Sequence, residues 1–314
     1  MPAIKVIKPG FQSTIQDSGR FGYSHYGISI SGAADNVALR IGNLIAGNDE
    51  NVAAIEMTLT GGEFLFEDDA IISITGANFQ PMIESSQVAM WSTIKIKAGH
   101  ILSFKNSPDN ARCYICINGG FNVPLVMESA STHLLTSMGG LKGRAIIKGD
   151  FIQYHKKNID NKTYISLKKE ILDKLYPQRE LFVTIGPQSN YFSDETINLF
   201  SKSTFTVRED SNRMGLRLSG PKLERIIEED IITEGVSLGA IQISHDAQPI
   251  ILFVEHQTTG GYPKIANIIS ADLHRVGQLK PRDEIKFSFV SIDEANKLRK
   301  EIEALISSDS FVRI

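Results

Sequence analysis

The chain has 314 residues, 42% of them hydrophobic and 22% charged, with 33 Lys+Arg against 36 Asp+Glu and a net charge of -3. That length suffices for one large domain or two ordinary ones, burying roughly 75% of the unfolded chain's surface without a disulfide or metal staple. The near balance of charge excludes an electrostatic footprint for nucleic acid or a membrane surface.

In chain order, the N-terminus lacks a basic-then-apolar leader, so a cytoplasmic protein is expected. A helix is predicted over residues 36–46, with Asp35 as N-cap, Val37, Ile41, Leu44 and Ile45 on one face, and Gly47 as C′ residue. Short strands follow at 63–66, 70–75, 92–97, 101–105, 112–118 and 145–154, punctuated by Gly and polar turns. Glu67-Asp68-Asp69 reads as a tight hairpin turn. A strand–Lys–small turn–strand pattern recurs at 96–104, 147–152 and 279–287, which predicts hairpins of a barrel or sandwich. Cys113 and Cys116 fall in a strand, where positions three apart face opposite sides. They read as buried free thiols and not as a C-x-x-C redox or zinc pair.

A polar stretch at 155–161, a Lys-rich amphipathic helix at 166–175 and then Pro177 mark the expected boundary. It separates an N-terminal β-barrel domain (1–160), a helical linker (161–180) and a C-terminal β-barrel domain (181–314). Further helices are expected at 194–200, from Pro263 through Ala266, Ile269 and Leu273, and after a Ser291–Glu294 capping box, where Ala295, Leu298, Ile302 and Leu305 share a face. A run of small–Asn–aliphatic–Ile–small occurs at both 42–46 and 266–270, each after a small-residue turn, and hints at two related domains. The longest strongly apolar run, 250–254, is far short of the ~20 residues that span a bilayer.

There is no Walker A loop, G-x-S-x-G elbow, H-E-x-x-H or EF-hand loop, and the seven histidines lack metal-ligand spacing, so no metal is expected. Polar residues gather beside glycine in three blocks. In 14–23, Asp17 and Arg20, next to Gln16, either brace a loop or face an anion together. In 27–35, Ser31 and Gly32 lead to Asp35, whose capping role competes with anion binding at the helix start. In 257–264, Gln257, Thr258, Thr259, Gly260, Gly261, Tyr262 and Lys264 collect at the predicted helix start. That is the make-up of a site for a carboxylate, phosphate or carbamoyl-like group, although a plain turn and cap could use the same Thr and Gly. Gln188, Gln242, Arg213 and Arg217 lie in smaller clusters, the arginines suited to an acidic substrate, an acidic partner or solvent. The residues alone give a β-rich chain with an anion-friendly site and no reaction.

Eight ordered motifs, at 16–23, 31–35, 119–124, 139–144, 186–188, 213–218, 239–242 and 257–264, resemble the family of 5-oxoprolinase C subunits, also known as allophanate hydrolase subunit 2 or KipI antagonist. The resemblance implies a mainly β fold of two cyclophilin-like β-barrel domains with a few helices. It also implies ATP-dependent opening of the 5-oxoproline lactam to L-glutamate, with a B-type (KipI-like) and an A-type subunit as partners and no activity alone. Such relatives are similar to the carboxyltransferase half of urea carboxylase, which handles carboxybiotin. Biotin-dependent carboxyl transfer and non-catalytic regulation of a kinase inhibitor are therefore the alternatives. On the leading reading ATP need not bind this subunit, and either it or a partner subunit holds the nucleotide; Asp17 or His256 manages a proton, and Arg20, Lys264 and Gln257 stabilise oxyanion charge. Gln16, Ser31, Asp35, Gln188, Arg213, Arg217, Gln242 and 257–262 then bind substrate. Four positions depart from the family pattern: Glu128 and Arg282 each stand where a glycine is usual, Ala130 where an arginine is usual, and Glu255 where an aspartate often precedes His256.

Overall fold

Period-two burial marks the early strands: in Glu63–Phe66, Phe64 and Phe66 are buried while their neighbours are half-covered. The computed structural model describes residues 1–157, 164–176, 180–229 and 231–314. They fall into two units. Unit 1 holds Met1–Arg20, Ser31–Lys174 and Ile306–Ile314, and unit 2 holds Phe21–Ile30 and Leu175–Leu305.

Unit 1 contains β1 (Ala3–Lys8), β2 (Gln12–Gln16), α1 (Asn36–Ile45), β3 (Ala54–Thr58), β4 (Glu63–Phe66), β5 (Ala70–Gly76), β6 (Met82–Ile83), β7 (Ser86–Gln87), β8 (Ile94–Ile96), β9 (Ile101–Ser103), β10 (Arg112–Ile117), β11 (Phe151–Gln153) and β12 (Ile165–Leu167). They form a six-stranded sheet, β11-β1-β4-β9-β6-β7, and a five-stranded sheet, β2-β3-β10-β5-β8. One core joins the two, with Ile4, Phe64, Phe66 and Leu102 from the first sheet against Ile15, Ile55, Ile72 and Ile115 from the second. β12 pairs instead with the C-terminal strand Phe311–Arg313.

The predicted hairpins are not hairpins. β4 and β5, on either side of Glu67-Asp68-Asp69, belong to different sheets, and so do β8 and β9 on either side of Lys97-Ala98-Gly99-His100. These turns are corners between the sheets, and they brace each other. Asp69 accepts from Lys97 Nζ at 2.8 Å and from the Ala98 N–H at 2.9 Å. Near 147–152 the strand shrinks to Phe151–Gln153, because the Asp150 carboxylate takes the Ile147 N–H at 2.9 Å and folds the approach into a turn. Cys113 and Cys116 lie on β10 as buried free thiols, and burial pushes the Cys116 thiol up to about 12.

After α2 (Lys169–Leu175), unit 2 contains β13 (Glu180–Ile185), α3 (Asp194–Lys202), β14 (Phe205–Val207), β15 (Gly215–Ser219), β16 (Glu234–Gly235), β17 (Ala240–Ile243), β18 (Pro249–Leu252), β19 (Thr259–Gly260), β20 (Lys264–Ile268), α4 (Leu273–Val276), β21 (Glu284–Phe289) and α5 (Ile292–Leu305). Seven strands close a barrel in the order β13-β20-β17-β18-β15-β14-β21. Closure runs through a parallel pair, β13 with β21. Phe200 of α3 stacks on Phe287 with ring centroids 4.6 Å apart. Ser291 caps α5, accepting the Glu294 N–H at 3.1 Å. The molecule is thus mostly β, with five α-helices among the described residues. None of them is long and apolar enough to cross a membrane.

Two sequence expectations change. The run after Pro263 is a strand, because β20 lies between β13 and β17 and pairs with both. Its burial in a closed ladder outweighs the Pro-first helix signal. The repeated small–Asn–aliphatic run is therefore helix in one copy and strand in the other. Of the expected linker, residues 158–163 and 177–179 lie outside the described residues, while 165–167 is strand and 169–175 is helix.

Candidate functional site

In unit 1, Gly19 of the first block, Ala33 of the second and residues 129–131 converge on Asp17. Its carboxylate accepts from the Gly19 N–H at 2.8 Å, the Ser129 hydroxyl at 2.7 Å, the Ser131 hydroxyl at 2.5 Å and the Ala130 N–H at 2.6 Å. Its own N–H donates to Ser131 Oγ, and its carbonyl accepts the Ala33 N–H. Arg20 is buried and donates to the Ser131 and Val126 carbonyls. This is the loop-brace alternative. An aspartate with both oxygens so engaged holds three chain segments together and is badly placed to carry a proton. Gly32 makes the approach tight, since a Cβ there would meet the Ser18 and Gly19 backbone at 2.9 Å, and its φ is +85°.

Asp35 caps α1, accepting the Ala38 N–H at 2.8 Å. Its own N–H donates to Tyr114 Oη, which donates in turn to Glu56 at 2.7 Å. Glu56 also accepts the Ala34 N–H, so this buried carboxylate, which lies outside the sequence blocks, holds the turn into the helix. Gln16 donates to Thr14 and to the Thr132 carbonyl, and its buried Oε1, like Ser31 Oγ, has no hydrogen-bond partner among the described residues. Ala130 sits in the apolar core.

The third block lies in unit 2, and there the expected helix start at Lys264 is corrected. Lys264 opens strand β20 and is 3% exposed. Its ammonium meets Glu234 Oε1 at 2.5 Å. Gln188 Nε2 donates to the same oxygen at 2.8 Å, and Gln188 Oε1 accepts the Lys264 N–H at 3.3 Å. Gln242, buried on β17, donates to the Tyr262 carbonyl and accepts from Gln257 Nε2 at 3.4 Å. Gly260 packs against this pair, where a Cβ would meet Gln242 Nε2 at 2.8 Å. The Thr258 carbonyl accepts the Val236 N–H, and Thr259 and Gly260 pair with Glu234 and Gly235, so Gly261 and its neighbours are laid against that short strand.

Glu234 is invisible to sequence reading, because a lone glutamate in an irregular stretch carries no motif. Lys264 and Gln188 hold its carboxylate below the usual range, the ammonium being the larger cause. Arg213 forms a buried ion pair with Glu255, the residue before His256. His256 is buried with Nδ1 2.6 Å from the Gln257 carbonyl, and burial keeps its pKa below the ordinary histidine value. Arg217 is not part of the cluster. It points outward from β15, with Asp210 3.8 Å away. The barrel unit therefore holds two hydrogen-bonded groups, Lys264–Glu234–Gln188 and Gln242–Gln257, brought side by side by the β17–β20 register that pairs Gln242 with Lys264, with Arg213 and His256 adjoining through the chain at 255–257. The donors of the first group suit one anionic oxygen. No group of three or more His, Cys, Asp or Glu placed to hold a metal occurs among the described residues.

The sequence model of the carboxyltransferase domain, subdomain A and B, matches residues 26–289. The 5-oxoprolinase C subunit of Haemophilus influenzae is 37% identical over 302 residues, covering 96% of this chain and 95% of that protein. The protein of the same name from Escherichia coli is 36% identical, covering 95% and 94%. The crystal structure of K. lactis urea amidolyase superposes with a TM-score of 0.90 at 29% identity, over 99% of this chain and 21% of that one.

Proposed function

This chain belongs to the carboxyltransferase domain family of subdomains A and B, and we propose that within it the chain is the C subunit of an ATP-dependent 5-oxoprolinase. Such a complex is a hydrolase that opens the 5-oxoproline lactam to L-glutamate. Two relatives named as the C subunit of 5-oxoprolinase, alike over nearly their whole length, support the reading. The observation that carries it is the buried ammonium of Lys264, with the Gln188 amide beside it.

5-Oxoproline offers two anion-like groups, its carboxylate and the lactam oxygen on which charge develops as the ring opens. A buried ammonium acts on either more strongly than it would in water. His256, kept neutral by burial, donates Nδ1–H to the Gln257 carbonyl and leaves the Nε2 lone pair to take a proton. We assign that role to His256 in place of Asp17. Lys264 and Gln188 converge on a single oxygen position, which fits a carboxylate or amide oxygen. ATP is assigned to partner subunits, of B type (KipI-like) and A type, because the sequence carries no Walker A loop, and the chain alone is expected to be inactive.

The test is kinetic. With B and A subunits reconstituted, Lys264→Met should lower kcat/KM for 5-oxoproline at least tenfold, given the ~2–4 kcal/mol one such donor supplies. The melting temperature should change little, because the charge left without its partner, Glu234, is half in water and stays solvated, while Met fills the space of the lysine stem. Unchanged kcat/KM, or full-rate turnover by the isolated chain, would overturn the reading.

A second reading, biotin-dependent carboxyl transfer, is favoured by the match of nearly the whole chain to a segment of urea amidolyase. The same donors would then face a carboxylate in transfer. Biotin itself would belong to a partner, and no residue here is assigned to it.

A further inference from the structure

We propose that Glu234 is an internal stand-in for the substrate's carboxylate, occupying the Lys264–Gln188 cradle until a small carboxylic acid displaces it. This rests on the functional reading above and narrows it: the cradle takes the carboxylate of the substrate, not its lactam oxygen.

The two partners are unequally placed. The Lys264 side chain is 4% exposed and that of Glu234 is 46% exposed, so the cation belongs to the barrel and the anion arrives from its surface. Both donors meet one oxygen of Glu234, at 2.5 and 2.8 Å, as they would meet a bound acid. Glu234 rides on a strap fixed to the Gln257–Lys264 block by main-chain bonds: Ile231 N–H to the Gly261 carbonyl at 3.2 Å, Val236 N–H to the Thr258 carbonyl at 3.1 Å, and the β16–β19 pairing. Apolar packing does little to hold it, since Ile232 is 93% exposed. A buried ammonium left without an anion is costly, so departure of Glu234 leaves a site that selects a carboxylate over a neutral analogue. Exchange of one carboxylate for another keeps the charge of the cradle constant, and it puts the strap in the path of binding.

The experiment is calorimetric titration of the full chain with 5-oxoproline and with its neutral analogue 2-pyrrolidinone. Glu234→Ala should bind 5-oxoproline at least tenfold more tightly than the unaltered chain, with 2-pyrrolidinone weak in both. Glu234→Gln, which keeps the volume and removes the charge, should tighten binding in the same direction and serves if the alanine variant is unstable. Equal affinity in all three proteins, or equal binding of acid and neutral lactam, overturns the inference. The two readings fail separately. Tighter acid binding by the variants in a complex that does not open 5-oxoproline would keep the cradle and remove the assigned reaction. Normal turnover with unaltered acid binding would do the reverse.

Discussion

Asp17 shows how one buried carboxylate can set a local structure. Removing it strands two hydroxyls and two backbone N–H groups that it satisfies. Each hydrogen bond to a charged group contributes about 1.5–3 kcal/mol, so Asp17→Ala should cost at least about 3 kcal/mol in denaturant unfolding. A loss under about 1 kcal/mol would show that the brace is dispensable. His256 gives a pH signature. Its folded-state pKa lies below the ordinary 6.5, so the unfolded chain binds the proton first as pH falls. Its stabilising contribution is complete above pH 6.5 and is lost as the pH drops through the depressed value. Unfolding free energies measured from about pH 7.5 to 5 should fall less steeply for His256→Gln than for the unaltered chain. Arg282 holds φ at +71°, a conformation that glycine adopts without strain, and its bond to Glu209 is exposed. Arg282→Gly should therefore exceed Arg282→Ala in stability by about 1 kcal/mol, since both lose the ion pair and only glycine relieves the backbone. Equal stabilities would leave that strain without effect.

At the scale of elements, α1 is joined to its sheet by polar contacts as well as apolar ones. Ser73 and Thr75 hydroxyls donate to the Gly42 and Ala38 carbonyls, and Asn118 donates to the Ala46 carbonyl at the helix end. Gly42 permits this closeness, because a Cβ there would stand 2.7 Å from Cys116 Sγ and 2.8 Å from Thr75 Oγ1. Gly42→Ala gains about 1 kcal/mol in helix propensity and incurs about 1–3 kcal/mol of overpacking, so a net loss is expected. Adding Cys116→Ala should recover part of it, and a double-mutant cycle reads the coupling. The same elements show what was legible in the sequence. Asp35 as N-cap, the α1 face, strands such as Glu63–Phe66 and the Ser291 cap are local, and period and capping chemistry reveal them. Strand partnership is not local. Asp69 and Lys97 mark turns, but whether a turn closes a hairpin or carries the chain to the facing sheet depends on twist and packing across the core. Lys264–Ile268 misleads for a related reason: Tyr262-Pro263 looks like the start of a helix until strands on both sides are known. At the site, Lys264, Gln188, Gln242 and Gln257 were legible from composition beside glycine. Glu234 was not, because only the fold brings residue 234 to residue 264.

Over the molecule as a whole, the chain order and the units do not coincide. Unit 1 is completed by the last residues, where Phe311–Arg313 pairs with Ile165–Leu167, the Ser310 carbonyl accepts the Lys168 N–H, and the Ile314 N–H donates to the Tyr164 carbonyl. Deleting residues 308–314 removes several backbone bonds at ~0.5–1.5 kcal/mol each. The melting temperature of unit 1 should fall by about 5–10 °C, at ~2–4 °C per kcal/mol for a unit of this size. Calorimetry showing no shift would mean that the terminal strand contributes nothing to unit 1.

That late pairing also has a history in time. Partners β12 and Phe311–Arg313 are separated by about 150 residues, which a ribosome adds in roughly 7–30 s at ~5–20 residues per second. Throughout that interval Ile165–Leu167 leaves the exit tunnel as an edge without its complement, although most of unit 1 has already been synthesised. The nascent chain thus passes through a stage in which β12 stands without its ladder partner while both larger sheets of unit 1 are already made, and that stage is when a chaperone or a neighbouring nascent chain has access to the open edge.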